Sequence, residues 1–134
     1  MSASQPLSAL DANKHLVVRW FEEVWNQSRR ETIFELLAPN AVLHDGDTDI
    51  RGPQEFATLF YDRMRADFTD FHVTPGTTLA ENDLVSLRWT AKCHHKATGK
   101  DTTVTGISIV RIKDGQFVEA WQNWDETSLA DQLA

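Results

Sequence analysis

The chain has 134 residues, 41% of them apolar and 25% charged, which is the size and composition of one globular domain with a real core. Its net charge of −7 argues against binding to nucleic acid or to an anionic membrane surface. The single cysteine excludes an internal disulfide. No apolar stretch approaches the length of about 18 residues that a membrane span needs. The opening residues lack the basic start and apolar run of a signal peptide, so we expect a cytoplasmic protein.

The N-terminal half is predicted to be mainly helical. Residues 1–10 predict a flexible arm, after which Asp11 can cap a helix that runs to about Gln27. Its apolar residues repeat at helical spacing and form one wide stripe: Leu16, Val17, Trp20, Phe21, Val24 and Trp25. A short second helix ends before Pro39, and "AVLHD" predicts a brief strand. Pro53 suits the first position of a third helix, whose apolar positions share one side: Phe56, Leu59, Phe60 and Met64.

From residue 69 the pattern changes to that of β-strands. "FHVTPGTTLA" contains Pro75, which predicts an edge strand or a bulged strand. Alternation in "LVSLRWTAKCHH" places Trp89 on one face and Arg88 on the other. Two further strands, "DTTVTGISIVRI" and "GQFVEAWQNW", are separated by an Asp-Gly turn, which is a strong hairpin signal. Helices followed by an antiparallel meander predict a single α+β domain over residues 11–134.

The last predicted strand does not alternate cleanly between apolar and polar residues. Strict alternation would place Glu119, Trp121 and Asp125 on one face of this strand. Either a carboxylate therefore shares a face with a large indole, or a β-bulge breaks the alternation. The sequence alone leaves both alternatives open.

Three stretches resemble the SnoaL-like polyketide (ester) cyclase family of the NTF2-like superfamily, over roughly residues 12–134. The first is "FTDFHVTPGTTLAENDLVSLRW", and the second is "TGK" before a strand that ends in "VRIKDG". The third is "GQFVEAW", followed by Asp125 and "LADQL". The resemblance implies an NTF2-like cone, in which three N-terminal helices pack on a curved mixed or antiparallel sheet and enclose a pocket. This sequence differs from the family at two places. "CHHK" stands where the family has a longer Gly-Thr-His-x-Gly loop, and Ser108 lies on the strand where the cyclases tend to carry a histidine.

The family resemblance also implies a catalytic carboxylate. In the characterised cyclases an aspartate near the end of the last strand acts as acid and base in an aldol ring closure, and Asp125 occupies the matching position. The alternative is that Asp125 only caps the terminal helix "ETSLADQL", because Asp is a favoured N-cap. His44 is a second catalytic candidate, which could orient a carbonyl group or transfer a proton, although a hydrogen-bonded surface histidine is the more common case.

The aromatic residues are the candidates for binding a substrate. Five tryptophans are hard to bury in so small a domain unless some of them line a cavity. The predicted substrate-binding residues are Trp20, Phe60, Tyr61, Trp89 and Trp121. His94 and His95 alternate between faces and lack the spacing of zinc ligands, so no metal site is predicted.

The leading functional hypothesis is an enzyme that transfers protons next to a carbonyl group of a small hydrophobic molecule. The reaction would be a cyclisation, an isomerisation or a dehydration, and it needs no cofactor because protein groups suffice for enolate chemistry. The alternatives are a module that binds such a molecule without changing it and a dimeric scaffold. A homodimer is expected because one sheet face mixes apolar and polar residues: Leu84, Ser86, Arg88 and Thr90.

Overall fold

The computed structural model describes residues 8–134. In this part of the chain five α-helices are present, and their bounds are Ala9–Trp20 (α1), Glu31–Leu36 (α2), Gly52–Glu55 (α3), Asp62–Asp67 (α4) and Glu126–Leu133 (α5). Two π-helical segments continue the helical path, Phe21–Asn26 after α1 and Phe56–Tyr61 between α3 and α4. The region before the long strands therefore contains three helical stretches, as predicted.

The first helix begins earlier than the sequence predicted. Its N-cap is Ser8, whose hydroxyl oxygen accepts a hydrogen bond from the backbone N–H of Asp11 at 3.1 Å. Asp11 was expected to be the cap, but it lies in the first turn, where a negative charge is also favourable. Of the predicted flexible arm, residues 1–7 lie outside the described residues, and Ala9 and Leu10 are helical.

Six strands form one mixed sheet in the described residues. They are Leu37–Asp45 (β1), Thr48–Arg51 (β2), Phe68–Glu81 (β3), Leu84–His95 (β4), Asp101–Lys113 (β5) and Gln116–Trp124 (β6). Their order across the sheet is β2-β1-β6-β5-β4-β3, and the pairing is antiparallel except between β1 and β6. The α+β class and the mixed sheet are therefore confirmed.

Two local signals in the sequence correspond to the observed strand geometry. Pro75 lies in the edge strand β3, and the pairing with β4 shifts register between Pro75 and Thr78. The turn between β5 and β6 has positive φ at both Asp114 (51°) and Gly115 (74°), the conformation that favours this dipeptide in tight hairpins.

A β-bulge resolves the irregular pattern of β6. The register with β5 shifts between the pairs Arg111–Glu119 and Ile112–Phe117. Phe117 is therefore buried, and after the bulge Ala120 pairs with the buried Val110. Glu119 and Trp121 lie together on the opposite face, so both of the alternatives left open by the sequence occur in this strand.

The core lies between the helices and one face of the sheet, which we call the inner face. The inner face of β4 carries Val85, Leu87 and Trp89, all at most 8% exposed, as alternation predicted. Helical residues of the predicted stripe pack against it. On the third predicted helix Phe56, Phe60 and Met64 pack against the core, but Leu59 is 50% exposed, so its predicted place on the same apolar side is wrong. The other face, which we call the outer face, carries the exposed Ile107 and Ile109.

Candidate active site in the interior

Two adjoining cavities lie between the helices and the inner face. Cavity 1 has a volume of about 60 Å³, and its border includes Trp20, Phe56, Asp45, Ser108 and Phe117. Cavity 2 has a volume of about 70 Å³, and its border includes Met64, Phe71, Trp89, Cys93, Trp124 and Leu129. Both cavities are bordered by Phe21, Trp25, Phe60 and Gln122, which therefore separate them.

The helical wall of the cavities is built by the two π-helical segments. Phe21 and Trp25 lie on the first segment, and Phe56 and Phe60 lie on the second. The ring centroids of Phe56 and Phe60 are 5.3 Å apart, and Phe60 meets Trp25 edge-on at 6.1 Å. These aromatic pairs fix the wall by packing and by their preferred ring geometry. π-Helical turns are rare and occur frequently at functional sites.

Among the predicted substrate-binding residues, Trp20 and Phe60 border cavity 1 and Trp89 borders cavity 2. Trp20 is 8% exposed and contacts Phe56 and Phe117 with centroid distances of 5.1 and 5.6 Å. Whether these side chains bind a substrate stays a prediction.

Three polar side chains form a row across the inner face. Asp45 on β1 pairs with Gln122 on β6, and Gln122 pairs with Ser108 on β5. Directly paired residues share a face, and adjacent strands lie about 4.8 Å apart. The row therefore spans about 10 Å along the floor of cavity 1.

Asp45 is the carboxyl group of this row, and it is half-buried. Burial raises the pKa of Asp45, a hydrogen bond from Trp124 lowers it, and the charge of Glu126 raises it. The indole Nε1 of Trp124 lies 3.2 Å from Asp45 Oδ1. A half-buried carboxyl group with a raised pKa beside an apolar cavity is a characteristic of acid–base catalysts.

Ser108 can supply a hydrogen-bond donor to the same cavity. The indole Nε1 of Trp89 donates to Ser108 Oγ at 2.9 Å, and Ser108 is 6% exposed. Because this bond uses the serine oxygen as an acceptor, the hydroxyl proton is left to point elsewhere. Gly106 makes the arrangement sterically feasible, since a Cβ atom at this position would lie 2.2 Å from Cζ2 of Trp89.

The predicted catalytic residue Asp125 lies away from the cavities. It is exposed, it is the N-cap of α5, and its Oδ1 accepts a hydrogen bond from the Ser128 N–H at 2.9 Å. It is not among the residues that border either cavity. Asp125 therefore caps the helix as the capping alternative predicted, and a catalytic role for it stays a prediction. The carboxyl group that borders a cavity is Asp45, which the sequence analysis did not select.

His44 takes part in an ion cluster on the outer face. Its Nδ1 lies 2.7 Å from Asp49 Oδ1, and its Nε2 lies 2.8 Å from Glu119 Oε2. The hydrogen bonds to Glu119 and then Asp49 raise the pKa of His44, because both ring nitrogens can donate only in the imidazolium form. The ring also stacks on Trp121 with a centroid distance of 5.6 Å.

Trp121 and Tyr61 differ from the other substrate-binding candidates. The residues His44 and Trp121 border cavity 1, but their register places both side chains on the face of the exposed Ile109. Tyr61 is 3% exposed, and its hydroxyl donates to the carbonyl oxygen of Val24 at 3.0 Å. In the described residues Tyr61 borders neither cavity, so its phenol stabilises the packing of two helical stretches.

His94 and His95 are the last two residues of β4. His94 Nδ1 lies 2.9 Å from an Asp101 oxygen, and His95 Nδ1 lies 2.9 Å from Thr98 Oγ1. In residues 8–134 no group of three or more His, Cys, Asp or Glu side chains is placed to hold a metal ion. None of the helices described is long and apolar enough to cross a membrane.

The sequence can now be compared with known proteins. The model of the family described as SnoaL-like polyketide cyclase matches residues 15–133. The chain belongs to this family. No protein of curated function matches it closely enough to count as a relative. The resemblance on which the sequence analysis relied is therefore confirmed.

Solved structures show the same fold. A SnoaL-like polyketide cyclase proposed for Jannaschia sp. CCS1 superposes with a TM-score of 0.84 at 18% identity, covering 97% of both chains. IdmH, a proposed polyketide cyclase of Streptomyces antibioticus, has a TM-score of 0.81 at 27% identity and covers 90% of this chain and 97% of its own. An NTF2-like protein of Burkholderia pseudomallei has a TM-score of 0.80 at 14% identity, covering 92% and 98%. The NTF2-like fold is thus confirmed.

Proposed function

We propose that this member of the family is a cofactor-independent enzyme that transfers a proton next to the carbonyl group of a small apolar compound. The observation that supports the proposal is the position of Asp45, a carboxyl group of raised pKa beside an aromatic-walled cavity. A cyclase or isomerase role is in keeping with the family and with relatives such as IdmH. A cytoplasmic location stays a prediction.

The proposed chemistry assigns one role to each member of the polar row. The Asp45 carboxylate accepts a proton from the carbon next to the carbonyl, so that the C–H electron pair forms an enolate. The hydroxyl of Ser108 donates a hydrogen bond to the enolate oxygen, with Gln122 between them to orient the substrate. If the proton is replaced by one from solvent and returned to the same carbon, the result is exchange, and if it is returned to another carbon, the result is isomerisation. In aldol closure the enolate carbon attacks a second carbonyl carbon of the substrate, the electron pair of that C=O bond moves to its oxygen, and the carboxylic acid protonates the alkoxide. Preorganised donors and a tuned carboxyl are the main sources of rate in such reactions.

The proposal is tested with 2-tetralone, an apolar bicyclic ketone with acidic protons next to its carbonyl group. We expect the wild-type protein to accelerate hydrogen–deuterium exchange at that carbon in D₂O, measured by NMR. Asp45→Asn should lower the rate above buffer by about 10²- to 10⁴-fold, the usual contribution of a general base. The amide oxygen of Asn can still accept the hydrogen bond from Trp124, so the fold should be retained.

Asp125→Asn is the matched control, because Asn caps a helix about as well as Asp. We expect this variant to exchange protons at the wild-type rate, since Asp125 is exposed and bonded to Ser128. A loss of exchange in Asp125→Asn with full activity in Asp45→Asn would instead assign the chemistry to Asp125. If 2-tetralone quenches tryptophan emission but no exchange occurs, the alternative of binding without turnover is favoured for this class of ketone.

The predicted homodimer remains a proposal, and the outer face is the surface that favours it. Ile107, Ile109 and Leu79 are 49%, 39% and 65% exposed there. Arg111 and Glu119 lie on the same face, so a second copy related by a two-fold axis could meet apolar side chains at the centre and opposite charges at the margin. This surface also supports the scaffold alternative, in which dimerisation rather than chemistry is the function.

A further inference from the structure

We propose that α5 is a hinged cover over cavity 2, that it opens to admit ligand, and that Gln132 holds it closed. The role in ligand entry rests on the proposed function, whereas the opening itself does not. α5 borders cavity 2 through Leu129, and it begins two residues after Trp124, which also borders this cavity. Trp124 in turn donates its indole hydrogen bond to Asp45. The cover is therefore connected to the proposed catalytic carboxyl by a single side chain.

The attachment of α5 to the sheet is polar and near its two ends. At one end the Asp125 N–H donates to the Thr105 carbonyl oxygen at 3.2 Å. At the other end the Gln132 side chain bonds both backbone groups of Thr103: Oε1 accepts from the N–H at 2.9 Å, and Nε2 donates to the carbonyl oxygen at 2.8 Å. The side-chain amide of Gln132 thus bonds β5 in the way that a backbone peptide group of a neighbouring strand would.

The apolar contribution of the helix is limited to partly buried side chains. Every residue of α5 is described, none of them is fully buried, and its two leucines, Leu129 and Leu133, are partly buried. Segments held by few apolar contacts and by exposed hydrogen bonds open at a lower free energy than the core does. Lids of active sites are drawn from such segments. We therefore expect α5 to open while the rest of the sheet remains folded.

The small volume of the cavities is a reason for α5 to move. Their volumes of about 60 and 70 Å³ are well below the roughly 300 Å³ of a typical ligand site. A ligand of two fused rings therefore has to use both cavities, and one wall has to move outward for a time to let it enter. Most of the other walls are β-strands and the two π-helical segments with their buried Phe21, Trp25 and Phe56, which are costly to move. α5 is a wall that can move without exposing a fully buried side chain.

Cys93 offers a direct measurement of the opening. It is the sole cysteine of the sequence, it is 8% exposed, and it borders the cavity that Leu129 covers. The probe is 4,4′-dithiodipyridine, which reports each reaction with a thiol by its absorbance. We expect Gln132→Ala to speed the labelling of Cys93 by about fivefold or more, the factor that one net hydrogen bond imposes on an opening equilibrium. Gln132→Glu retains the acceptor but not the donor, so its rate should lie between the two.

Ile33→Val is the control for labelling through global unfolding. Ile33 is fully buried in α2, and this substitution typically lowers the free energy of unfolding by about 0.5–1.5 kcal/mol. It should leave the labelling rate unchanged if only α5 must open. The proposal is overturned if the rate of Cys93 labelling in Gln132→Ala is within about twofold of the wild-type rate, because the loss of one net hydrogen bond should change it by more. It is also overturned if Ile33→Val accelerates labelling in proportion to its loss of stability.

Entry of ligand is measured separately with 2-tetralone and stopped-flow tryptophan quenching. A gate that Gln132 holds closed predicts that Gln132→Ala raises the association and dissociation rates together and leaves Kd nearly unchanged. Unchanged rates in Gln132→Ala, with faster labelling of Cys93, would overturn the role in entry and keep the cover. Failure of Asp45→Asn to lower proton exchange would reject the proposed chemistry but would not alter the labelling result.

Discussion

Replacing Gly106 by alanine tests the packing that holds Trp89 against β5. A Cβ atom at this position would lie 2.2 Å from Cζ2 of Trp89 and 2.6 Å from its Cε2 and Cη2 atoms. The indole cannot simply rotate away, because its Nε1 donates to Ser108 and the ring is 8% exposed. Either the ring or the strand must shift, and the hydrogen bond to Ser108 is then lost or lengthened.

The expected cost follows from three terms. Overpacking of a core typically costs about 1–3 kcal/mol, and the lost hydrogen bond adds about 1 kcal/mol. The reduced freedom of the unfolded chain offsets about 0.4–1 kcal/mol. We therefore expect Gly106→Ala to lower the free energy of unfolding by about 1–3.5 kcal/mol, as the sum of those terms. For a domain of this size, each kcal/mol lowers Tm by roughly 4 °C, which gives about 4–14 °C.

The control is the same substitution in a Trp89→Phe background. The smaller ring lacks the outer atoms that the new methyl group would meet, so Gly106→Ala should cost at least about 1 kcal/mol less there. Urea denaturation of the four variants, followed by far-ultraviolet circular dichroism, gives the interaction energy. An unchanged Tm for Gly106→Ala, or an equal cost in both backgrounds, would show that Trp89 is not clamped across Gly106.

Three further predictions follow from other parts of the molecule. Asp125→Ala should lower the free energy of unfolding by about 1 kcal/mol, the typical loss of an N-cap, whereas Asp125→Asn should melt like wild type. The pKa of His44 is raised in the folded protein, so its stabilising effect is complete below its unfolded pKa of about 6.5 and is lost as pH rises through the folded pKa. The stability difference between wild type and His44→Gln, from urea midpoints, should thus shrink as pH increases and should stay below about 1 kcal/mol for so exposed a pair. Ile107→Asp should convert the proposed dimer into a 15.2 kDa monomer in sedimentation equilibrium, and a wild-type protein that is already monomeric would reject the dimer.

Local signals in the sequence were sufficient for most of the fold. The helical spacing of the aromatic residues, the Asp-Gly turn and the proline of β3 each act over a few residues, and each was read correctly. The alternation of β4 placed Trp89 on the inner face because one regular strand needs no information about its partners. The predicted start of α1 was wrong because Ser8 and Asp11 are both good N-cap residues. Which of them caps the helix depends on where the helix first packs against the rest of the domain.

The candidate site depended on information that a single sequence does not carry. Asp45 becomes an interior carboxyl group only because β1 pairs in parallel with β6, which brings it opposite Gln122. His44 is bonded by carboxylates from two other strands, Asp49 and Glu119, and no local pattern indicates this pairing. One signal was available: alternation along "AVLHD" places Asp45 on the same side as Ala41, which is fully buried.

The contacts of Asp45 connect the proposed chemistry with the proposed cover. Its pKa is raised by burial, lowered by the hydrogen bond from Trp124 and raised by the charge of Glu126. Glu126 is the first residue of α5, so its charge moves when the helix moves, whereas Trp124 is held in β6 by its pairing with Gly106. Opening of α5 would admit water beside the carboxyl group and remove the nearby negative charge, and each change favours the ionised form. Opening therefore lowers the pKa of Asp45 while a ketone enters, and closure raises it again, which makes the enclosed carboxylate a stronger base.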